Sequence, residues 1–300
     1  MKVLITGASG LLGHKLVVEL LNRGYEVVGL HHEHEVPINH EKLTKFKLDI
    51  SNFVGLEDLI LKVKPDVVVH CAAYTHVDGC EINRDYAWKV NVEATRSIVR
   101  ASRVTKSFLI YISTDYVFDG EKGMYKEDDV PYPISYYGLT KLVGEELVKA
   151  SDLLYTIVRP SAIYGVGGGK LNFALFVVDR LSRGEKVKAL VDQYVSPTLN
   201  VLLARAIAEI IELRPMGILH VAGEKMNRYE FAVKLAEVLE LPKELIDKAE
   251  MSEMNWKAKR PRDSSLDISK AKSLLKTPFY KTSLALSIFA NEYGAFRGEV

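Results

Sequence analysis

Three side chains in the middle of the chain could together move a proton while a hydride moves. Tyr137 and Lys141 stand four residues apart, and this spacing places both on one face of a helix. A cation near a phenol favours its ionised form, so we expect Lys141 to lower the pKa of Tyr137 from its usual value of about 10. A phenol tuned in this way can exchange a proton with a carbonyl or a hydroxyl group. The hydroxyl of Thr114 completes the set.

The amino-terminal segment predicts a dinucleotide site. A short apolar run at residues 3–5 predicts a buried strand, and apolar spacing over residues 11–21, ended by Gly24, predicts a helix. Glycines at intervals of three occupy the turn between them, where the backbone can approach a pyrophosphate and the helix N-terminus supplies amide donors. A glycine turn without a ligand is the alternative. The cofactor contacts predicted here are Gly7, Ser9, Gly10, Leu11, Leu12 and Gly13.

The composition narrows the class of protein. Hydrophobic residues make up 48% of the 300 residues, enough for a large core, and a net charge of +1 argues against nucleic-acid and membrane partners. No apolar run is long enough to span a bilayer, and Met1 leads into the first strand without room for a signal peptide. Cys71 and Cys80, nine residues apart, match neither a zinc nor a redox spacing. We therefore expect a cytoplasmic protein.

Strands and helices alternate along the first 160 residues. Apolar runs predict further strands at residues 26–30, 45–48, 66–70, 107–112 and 155–158, and the longest helix at 84–103. This alternation predicts an α/β fold with a Rossmann-type, doubly wound parallel sheet. A helix at 197–213 and a strand at 217–221 are expected to rejoin that sheet.

The chain is expected to form two domains. We expect residues 1–160 and about 195–222 to make the dinucleotide-binding domain. Residues from about 161 to 194, together with 223–300, then make a smaller, discontinuous C-terminal domain that binds the substrate.

With these motifs the chain resembles the extended short-chain dehydrogenases/reductases, and among them the dTDP-4-dehydrorhamnose reductases. The resemblance extends over the glycine turn, residues 72–78, 113–120 and 137–145, and the later Arg260-Pro261 pair. It implies NAD(P)H-dependent reduction of a 4-keto-6-deoxy nucleotide sugar. In such an enzyme Tyr137 donates the proton, Lys141 holds the nicotinamide ribose, and Thr114 hydrogen-bonds the carbonyl oxygen. Related dehydratases carry a glutamate where this chain has Tyr116, and a tyrosine cannot replace that carboxylate near neutral pH.

The resemblance also implies further contacts. Asp49 and Ile50 correspond to adenine contacts, and Cys71, Ala72 and Ala73 would line the ribose and phosphates of the cofactor. On the substrate side the corresponding residues are Asp115, Ala162 and Asn172, besides Thr114.

For several positions a second interpretation stays open. Asp115 could instead anchor its loop, Asn172 could begin a helix, and Asn91 could support the active site or only pack within its helix. Many related reductases carry a tryptophan at the position of Ala162, so its loss widens the pocket or leaves it to be filled by another residue. The identity of the sugar, and of a related 4-keto substrate, therefore stays open.

The cofactor is expected to be NADPH, with NADH as the alternative. Enzymes of this fold that prefer NAD place an acid after the second strand, but His31 and His32 stand there and the first acid is Glu33. His31 is therefore a predicted cofactor contact. Histidines and acids over residues 31–35 could also hold zinc, but no distant partner completes a site, so we predict no metal.

Two other functions compete with the reductase. The regulatory beta subunit of methionine adenosyltransferase resembles this fold and binds NADP and a partner without turning over a sugar. A nucleotide-sugar epimerase would hold NAD tightly and consume no reduced cofactor. Family members often dimerise through the helix that carries Tyr137 and Lys141, so the resemblance implies a homodimer.

Overall fold

Seven parallel strands form the central sheet of the protein. The structure, a computed structural model, describes residues 1–169 and 171–298. Its strands are Lys2–Thr6 (β1), Glu26–His31 (β2), Leu43–Lys47 (β3), Val67–His70 (β4), Phe108–Ile112 (β5), Tyr155–Arg159 (β6), Ser161–Tyr164 (β7), Val187–Leu190 (β8), Tyr194–Val195 (β9), Pro197–Leu199 (β10), Gly217–His220 (β11), Met226–Asn227 (β12) and Ile246–Ala249 (β13). The central sheet has the order β3-β2-β1-β4-β5-β6-β11, which confirms the predicted Rossmann-type fold.

Helices cover both faces of this sheet. They are Leu11–Asn22 (α1), Phe53–Val63 (α2), Val77–Ile82 (α3), Arg84–Trp88 (α4), Ala94–Thr105 (α5), Tyr136–Lys149 (α6), Phe173–Ser182 (α7), Asn200–Leu213 (α8), Arg228–Val238 (α9), Ser269–Leu274 (α10) and Thr282–Gly298 (α11). One core joins α1 and α8 to one face, and a second joins α2 and α5 to the other. Every residue of β4 and β5 is buried, as expected of parallel strands covered on both sides.

Two predicted elements differ in detail. Residues 197–199 form β10, which pairs with β7, so the predicted helix at 197–213 begins only at Asn200. The predicted helix at 84–103 is interrupted by a π-helical turn at Lys89–Glu93, between α4 and α5. β3 lies slightly before its predicted position, and the predicted strand at 217–221 is β11.

Strands of the later part of the chain form smaller, two-stranded sheets. β7 pairs with β10, β8 with β13, and β9 with β12 in an antiparallel bridge. Because β11 pairs with β6, the chain returns to the central sheet after leaving it at β7. The division into two domains stays a prediction. None of the helices in the described residues is both long and apolar enough to cross a membrane.

Candidate active site

One cleft of about 850 Å³ lies along the carboxyl ends of the central strands. Ligands bind at this edge in open α/β sheets because the connections diverge there. Every residue with a predicted contact lines the cleft: Gly7, Ser9, Gly10, Leu11, Leu12, Gly13, His31, Asp49, Ile50, Cys71, Ala72, Ala73, Thr114, Asp115, Tyr137, Lys141, Ala162 and Asn172. The structure thus brings these residues together, and their individual roles stay predictions.

The glycine turn after β1 is shaped by close backbone contacts. Gly7 has a φ of +68°, and a Cβ there would lie 2.9 Å from the backbone of Ala72. A Cβ on Gly13 would overlap the carbonyl oxygen of Gly7. Gly10 donates its N–H to that oxygen at 2.9 Å, closing the turn. Side chains at these positions would therefore separate α1 from the strand below it.

The start of α1 is open toward the cleft. Its N-cap is Gly10, which provides no side-chain hydrogen bond to the helix, and Leu11, Leu12 and Gly13 line the cleft. The first amide groups of a helix lack partners within the helix and carry its positive dipole end. This cradle fits the pyrophosphate of a dinucleotide.

A second glycine segment covers the first. A Cβ on Gly168 would overlap the carbonyl oxygen of Ser9, and one on Gly169 would lie 3.1 Å from the amide nitrogen of Leu11. Asn172 holds this segment, since its side-chain nitrogen donates to the carbonyl of Gly165 at 2.8 Å. The run of glycines at residues 165–169 is typical of a loop, but nothing in the sequence indicates that it packs on the dinucleotide turn.

The ends of β2 and β3 form the far wall of the cleft. His31 is buried there, and among the described residues its Nδ1 has no hydrogen-bond partner. A buried nitrogen of this kind suits a polar group of a ligand. Partial burial opposes ionisation of Asp49, but hydrogen bonds from Ser51 lower the pKa of its carboxyl below the usual value. Together with the glycine cradle, these groups fit a dinucleotide.

Tyr137 and Lys141 reach the cleft from the first half of α6. The helix begins where the Ser135 side chain accepts the N–H of Gly138 at 3.2 Å. Gly138 has no room for a side chain, because a Cβ would overlap the carbonyl oxygen of Tyr116. The tip of the helix therefore packs directly on the loop after Thr114, and Tyr137 lies edge-on to Tyr116 with ring centroids 5.9 Å apart.

The prediction that Lys141 lowers the pKa of Tyr137 is wrong for this structure. Burial raises the pKa of Tyr137 well above 10, although a hydrogen bond with Thr114 works in the opposite direction. Desolvation disfavours a phenolate more than the nearby groups favour it. Tyr137 is therefore a neutral phenol near pH 7, which suits a proton donor.

Lys141 is buried with little compensation. Burial lowers its pKa to about 7, against which the Glu145 carboxylate acts. Its Nζ lies 4.1 Å from the centre of the Tyr111 ring, an arrangement that stabilises a cation. Gly144 lets Tyr111 reach the helix, because a Cβ there would overlap the phenol oxygen. With a pKa of about 7, the Lys141 amine can gain or lose its proton near neutral pH.

One helical turn further, Glu145 ties α6 to the sheet. Arg159 donates to both of its carboxylate oxygens, at 2.8 Å and 2.6 Å, and both side chains are fully buried. Ser113 donates to the same carboxylate at 2.5 Å. Buried bidentate pairs fix geometry, and removal of one partner leaves an uncompensated charge. The pair thus holds the helix of Tyr137 against the end of β6, and the Ser113 contact holds it against the end of β5.

Asp115 is an anchor in this structure. Its carboxylate accepts hydrogen bonds from Ser161 at 2.8 Å, Ser264 at 2.5 Å and Thr114 at 3.1 Å. Burial raises its pKa, and these hydroxyl donors oppose the rise. These contacts join three segments that are far apart in the sequence. The loop-anchor interpretation is confirmed, and a substrate contact stays a prediction.

Ala162 and Asn172, the other two predicted substrate contacts, also line the cleft. Ala162 has a φ of +43°, a left-handed conformation that costs energy for a residue with a side chain. Asn172 accepts the N–H of Leu175 at 3.3 Å and so caps α7, as the helix-start interpretation predicted. Its predicted contact with a substrate stays a prediction.

Sequence analysis missed two charged residues of the cleft, Arg228 and Arg260. Only Arg260 lay in a stretch already singled out. Asn91 occupies the π-helical turn, where its side chain accepts the N–H of Tyr74 at 2.7 Å and donates to Thr140 on α6 at 3.0 Å. Asn91 therefore supports the cleft wall, which agrees with the supporting role that was one of its two open interpretations.

The whole arrangement has counterparts among known proteins. A family model described as "RmlD substrate binding domain" matches residues 1–293. The chain belongs to this family. A crystal structure of a hypothetical dTDP-4-dehydrorhamnose reductase from Sulfolobus tokodaii is 45% identical, with a TM-score of 0.86 over 95% of this chain and 99% of that one.

Two further relatives differ in function: one is a reductase, and the other is a subunit of another enzyme. The dTDP-4-dehydrorhamnose reductase of Bacillus anthracis, solved in complex with NADP, is 31% identical with a TM-score of 0.85, covering 97% of this chain and 99% of that one. The methionine adenosyltransferase 2 subunit beta of Bos taurus is 33% identical over 290 residues, which are 93% of this chain and 84% of the relative. The family therefore includes reductases and a subunit of another enzyme.

Proposed function

We propose that this protein is an NAD(P)H-dependent reductase of a 4-keto-6-deoxy nucleotide sugar. The substrate proposed first is dTDP-4-dehydro-L-rhamnose, and the product is dTDP-L-rhamnose. The observation that carries the proposal is the meeting of Thr114, Tyr137 and Lys141 in one cleft with the glycine cradle. Similarity to dTDP-4-dehydrorhamnose reductases over nearly the whole chain supports it.

The residues divide the work of the reduction. The bound cofactor supplies the hydride that reaches C4 of the sugar. Tyr137 gives its phenolic proton to the carbonyl oxygen, so that a hydroxyl group forms and the phenolate recovers a proton from solvent. Thr114, which lies beside Tyr137, turns its hydroxyl from Asp115 to the same oxygen and hydrogen-bonds it while negative charge develops there. Lys141 holds the nicotinamide ribose and, while protonated, stabilises the phenolate.

The environment of Tyr116 favours reduction over dehydration. Burial raises the pKa of its phenol, so Tyr116 is neutral near pH 7. A dehydratase needs a carboxylate near this place to remove a proton and expel water. The nearest carboxyl group, Asp115, is already occupied by three hydroxyl donors.

We further propose NADPH as the preferred cofactor, with NADH as the second choice. The end of β2 presents His31 and His32 where an acid would repel a 2′-phosphate. The Nδ1 of His31, which has no hydrogen-bond partner among the described residues, offers a hydrogen-bonding group at this place. A comparison of kcat/KM for the two cofactors tests the proposal, and a strong preference for NADH would contradict it.

The deciding experiment follows the absorbance of reduced nicotinamide during incubation with dTDP-4-dehydro-L-rhamnose. Oxidation of the cofactor with formation of dTDP-L-rhamnose is the expected result. Oxidation with a different 4-keto nucleotide sugar only would keep the reaction class and change the substrate.

A regulatory subunit is the second candidate, favoured by the similarity to the bovine beta subunit. It would bind NADPH, oxidise none with any keto sugar and copurify with a methionine adenosyltransferase. A nucleotide-sugar epimerase would instead convert its substrate without net consumption of NADPH. The same assay separates these outcomes when product analysis accompanies it. The homodimer implied by the family resemblance also stays a prediction, testable by light scattering.

A further inference from the structure

The carboxylate of Asp115 holds a hydroxyl hydrogen that the proposed reaction needs elsewhere. Thr114 donates this hydrogen to Oδ1 of Asp115 at 3.1 Å. A hydroxyl has one hydrogen, so Thr114 cannot at the same time donate to a carbonyl oxygen in the cleft. Its oxygen accepts the N–H of Tyr116 at 3.2 Å, which fixes the oxygen and leaves the hydrogen free to rotate. A turn of that hydrogen into the cleft removes one of the three donors of Asp115.

The other two donors of Asp115 are serines that lie behind the cleft. Both donate to Oδ2, Ser161 at 2.8 Å and Ser264 at 2.5 Å, and both are fully buried. Neither is among the described residues that line the cleft, so neither hydroxyl touches a ligand there. An effect of these two hydroxyls on the reaction must therefore pass through Asp115.

Backbone contacts hold both serines in the donating position. Oγ of Ser161 accepts the N–H of Ser196 at 3.1 Å, and the N–H of Ser264 donates to the carbonyl oxygen of Tyr194 at 3.1 Å. One short segment of the chain thus contacts both serines. Their hydroxyls converge on Asp115 without the help of a ligand.

The charge of Asp115 depends on these hydroxyl donors. Burial raises the pKa of its carboxyl, the hydroxyls oppose the rise, and Arg228 opposes it more weakly. No ion pair within 4.0 Å joins Arg228 to Asp115 in the part of the chain that the structure describes. The nearby phenols of Tyr116 and Tyr137 are neutral near pH 7. Because a buried carboxylate binds its remaining donors strongly, the loss of a serine donor would tighten the hold on Thr114.

We infer that Ser161 and Ser264 are positioning residues of the reduction: their hydroxyls satisfy Asp115 while Thr114 turns its own hydroxyl to the carbonyl oxygen of the substrate. This role rests on the proposed function. With both serines present, the carboxylate gives up only its longest hydrogen bond in the exchange. Without one of them, Thr114 stays with Asp115, and the charge that develops on the carbonyl oxygen loses a donor.

Kinetics of Ser264→Ala test the role. We expect kcat for dTDP-4-dehydro-L-rhamnose to fall about tenfold, the loss expected for one hydrogen bond to a charged group, with KM and NADPH affinity nearly unchanged. Ser107→Ala is the matched control, because Ser107 is buried and its Oγ donates to the carbonyl of Pro65 at 2.6 Å, just before β5. This variant loses a buried hydrogen bond at the opposite end of the strand from Thr114 and should keep its kcat. An unchanged kcat in Ser264→Ala, a rise in KM alone, or an equal fall in the control would refute the role.

A double substitution separates positioning from a general loss of structure. In a Thr114→Val background the hydroxyl that the serines release is absent, so Ser264→Ala should lower kcat no further there. A second tenfold fall in that background would show that Ser264 acts by another route. Ser264→Cys keeps a weak donor and should have an intermediate kcat, and it replaces Ser264→Ala in these comparisons if the alanine variant does not fold.

The natural chain distinguishes two kinds of failure. If it oxidises no NADPH with dTDP-4-dehydro-L-rhamnose or another 4-keto nucleotide sugar, the proposed function fails, and the role of the serines fails with it. If it is active and Ser264→Ala is equally active, the reductase stands and the role of the serines alone is refuted.

Discussion

The two ends of the cleft differ in what forms their walls: backbone at one end and side chains at the other. At the proposed cofactor end, backbone segments are in close contact. Gly7 lies against Ala72, Gly13 against Gly7, and Gly168 against Ser9. At the proposed substrate end, side chains such as Arg228 and Arg260 form the wall. Backbone contacts leave no space for an added methyl group, whereas a wall of side chains can change shape by substitution. Substitutions are therefore tolerated less at the first end than at the second.

Gly13→Ala should produce the largest effect, because its Cβ would overlap the Gly7 carbonyl oxygen and neither backbone can yield easily. We expect loss of the folded protein, measured as a collapse of the thermal transition. Gly10→Ala is the matched control: its Cβ would lie 3.2 Å from the same oxygen, so it should fold and lose mainly cofactor affinity. A Gly13→Ala protein with the natural Tm would show that the turn is not constrained.

Tyr137→Phe tests the proposed proton donor, which lies between the two ends of the cleft. Removal of the phenolic proton should lower kcat by roughly 10²–10⁴-fold and leave NADPH affinity nearly unchanged, as measured by titration. Tyr132→Phe provides the control, because Tyr132 is 70% exposed and is not one of the described residues that line the cleft. Normal turnover by the Tyr137 variant would eliminate the proposed proton donor.

The buried Lys141 predicts a pH-dependent stability. Its pKa is about 7 in the folded protein and about 10.4 in an unfolded chain. Between these values the unfolded chain binds the extra proton, so the free energy of unfolding should rise with pH over that window by a few kcal/mol at most. Below pH 7 the full destabilisation remains.

Urea unfolding of the natural protein and of Lys141→Met between pH 6 and 10 measures this contribution. The methionine variant should show a flatter profile and greater relative stability at low pH. Parallel profiles for the two proteins would mean that Lys141 keeps an ordinary pKa in the folded state.

Ala162→Gly should give the smallest effect and the opposite sign. Glycine adopts the φ of +43° without steric cost, so the variant should gain about 1 kcal/mol of stability or less, because glycine also makes the unfolded chain more flexible. Ala206→Gly, in the middle of α8, should lose a similar amount or more. Chemical denaturation compares them, and a destabilised Ala162→Gly would contradict the strain.

What could be predicted from the sequence follows the same division. The strand, glycine turn and helix at residues 2–22 are local, and so is the spacing of Tyr137 and Lys141, which periodicity captures well. Arg228 joins the cleft only through long-range packing, so no local pattern points to it. The expected pKa of Tyr137 failed because the extent of burial depends on the whole fold.

Strand order also explains the misplaced start of α8. Residues 197–199 are apolar enough to continue a helix, yet they pair with β7, which lies over 30 residues earlier in the chain. The π-helical turn at Lys89–Glu93 likewise depends on Asn91 reaching Tyr74 and Thr140. Both features are settled by partners far away in the sequence.

Because β11 pairs with β6, the central sheet can be completed only late in the synthesis of the chain. β6 gains its outer neighbour only when residues 217–220 have been synthesised, and α8, at Asn200–Leu213, must be present to cover α1. A nascent chain of 160 residues therefore carries every proposed catalytic group but leaves one sheet edge and one apolar face open to solvent. Such exposed edges attract other chains. Maturation of the catalytic half must wait for more than two thirds of the chain.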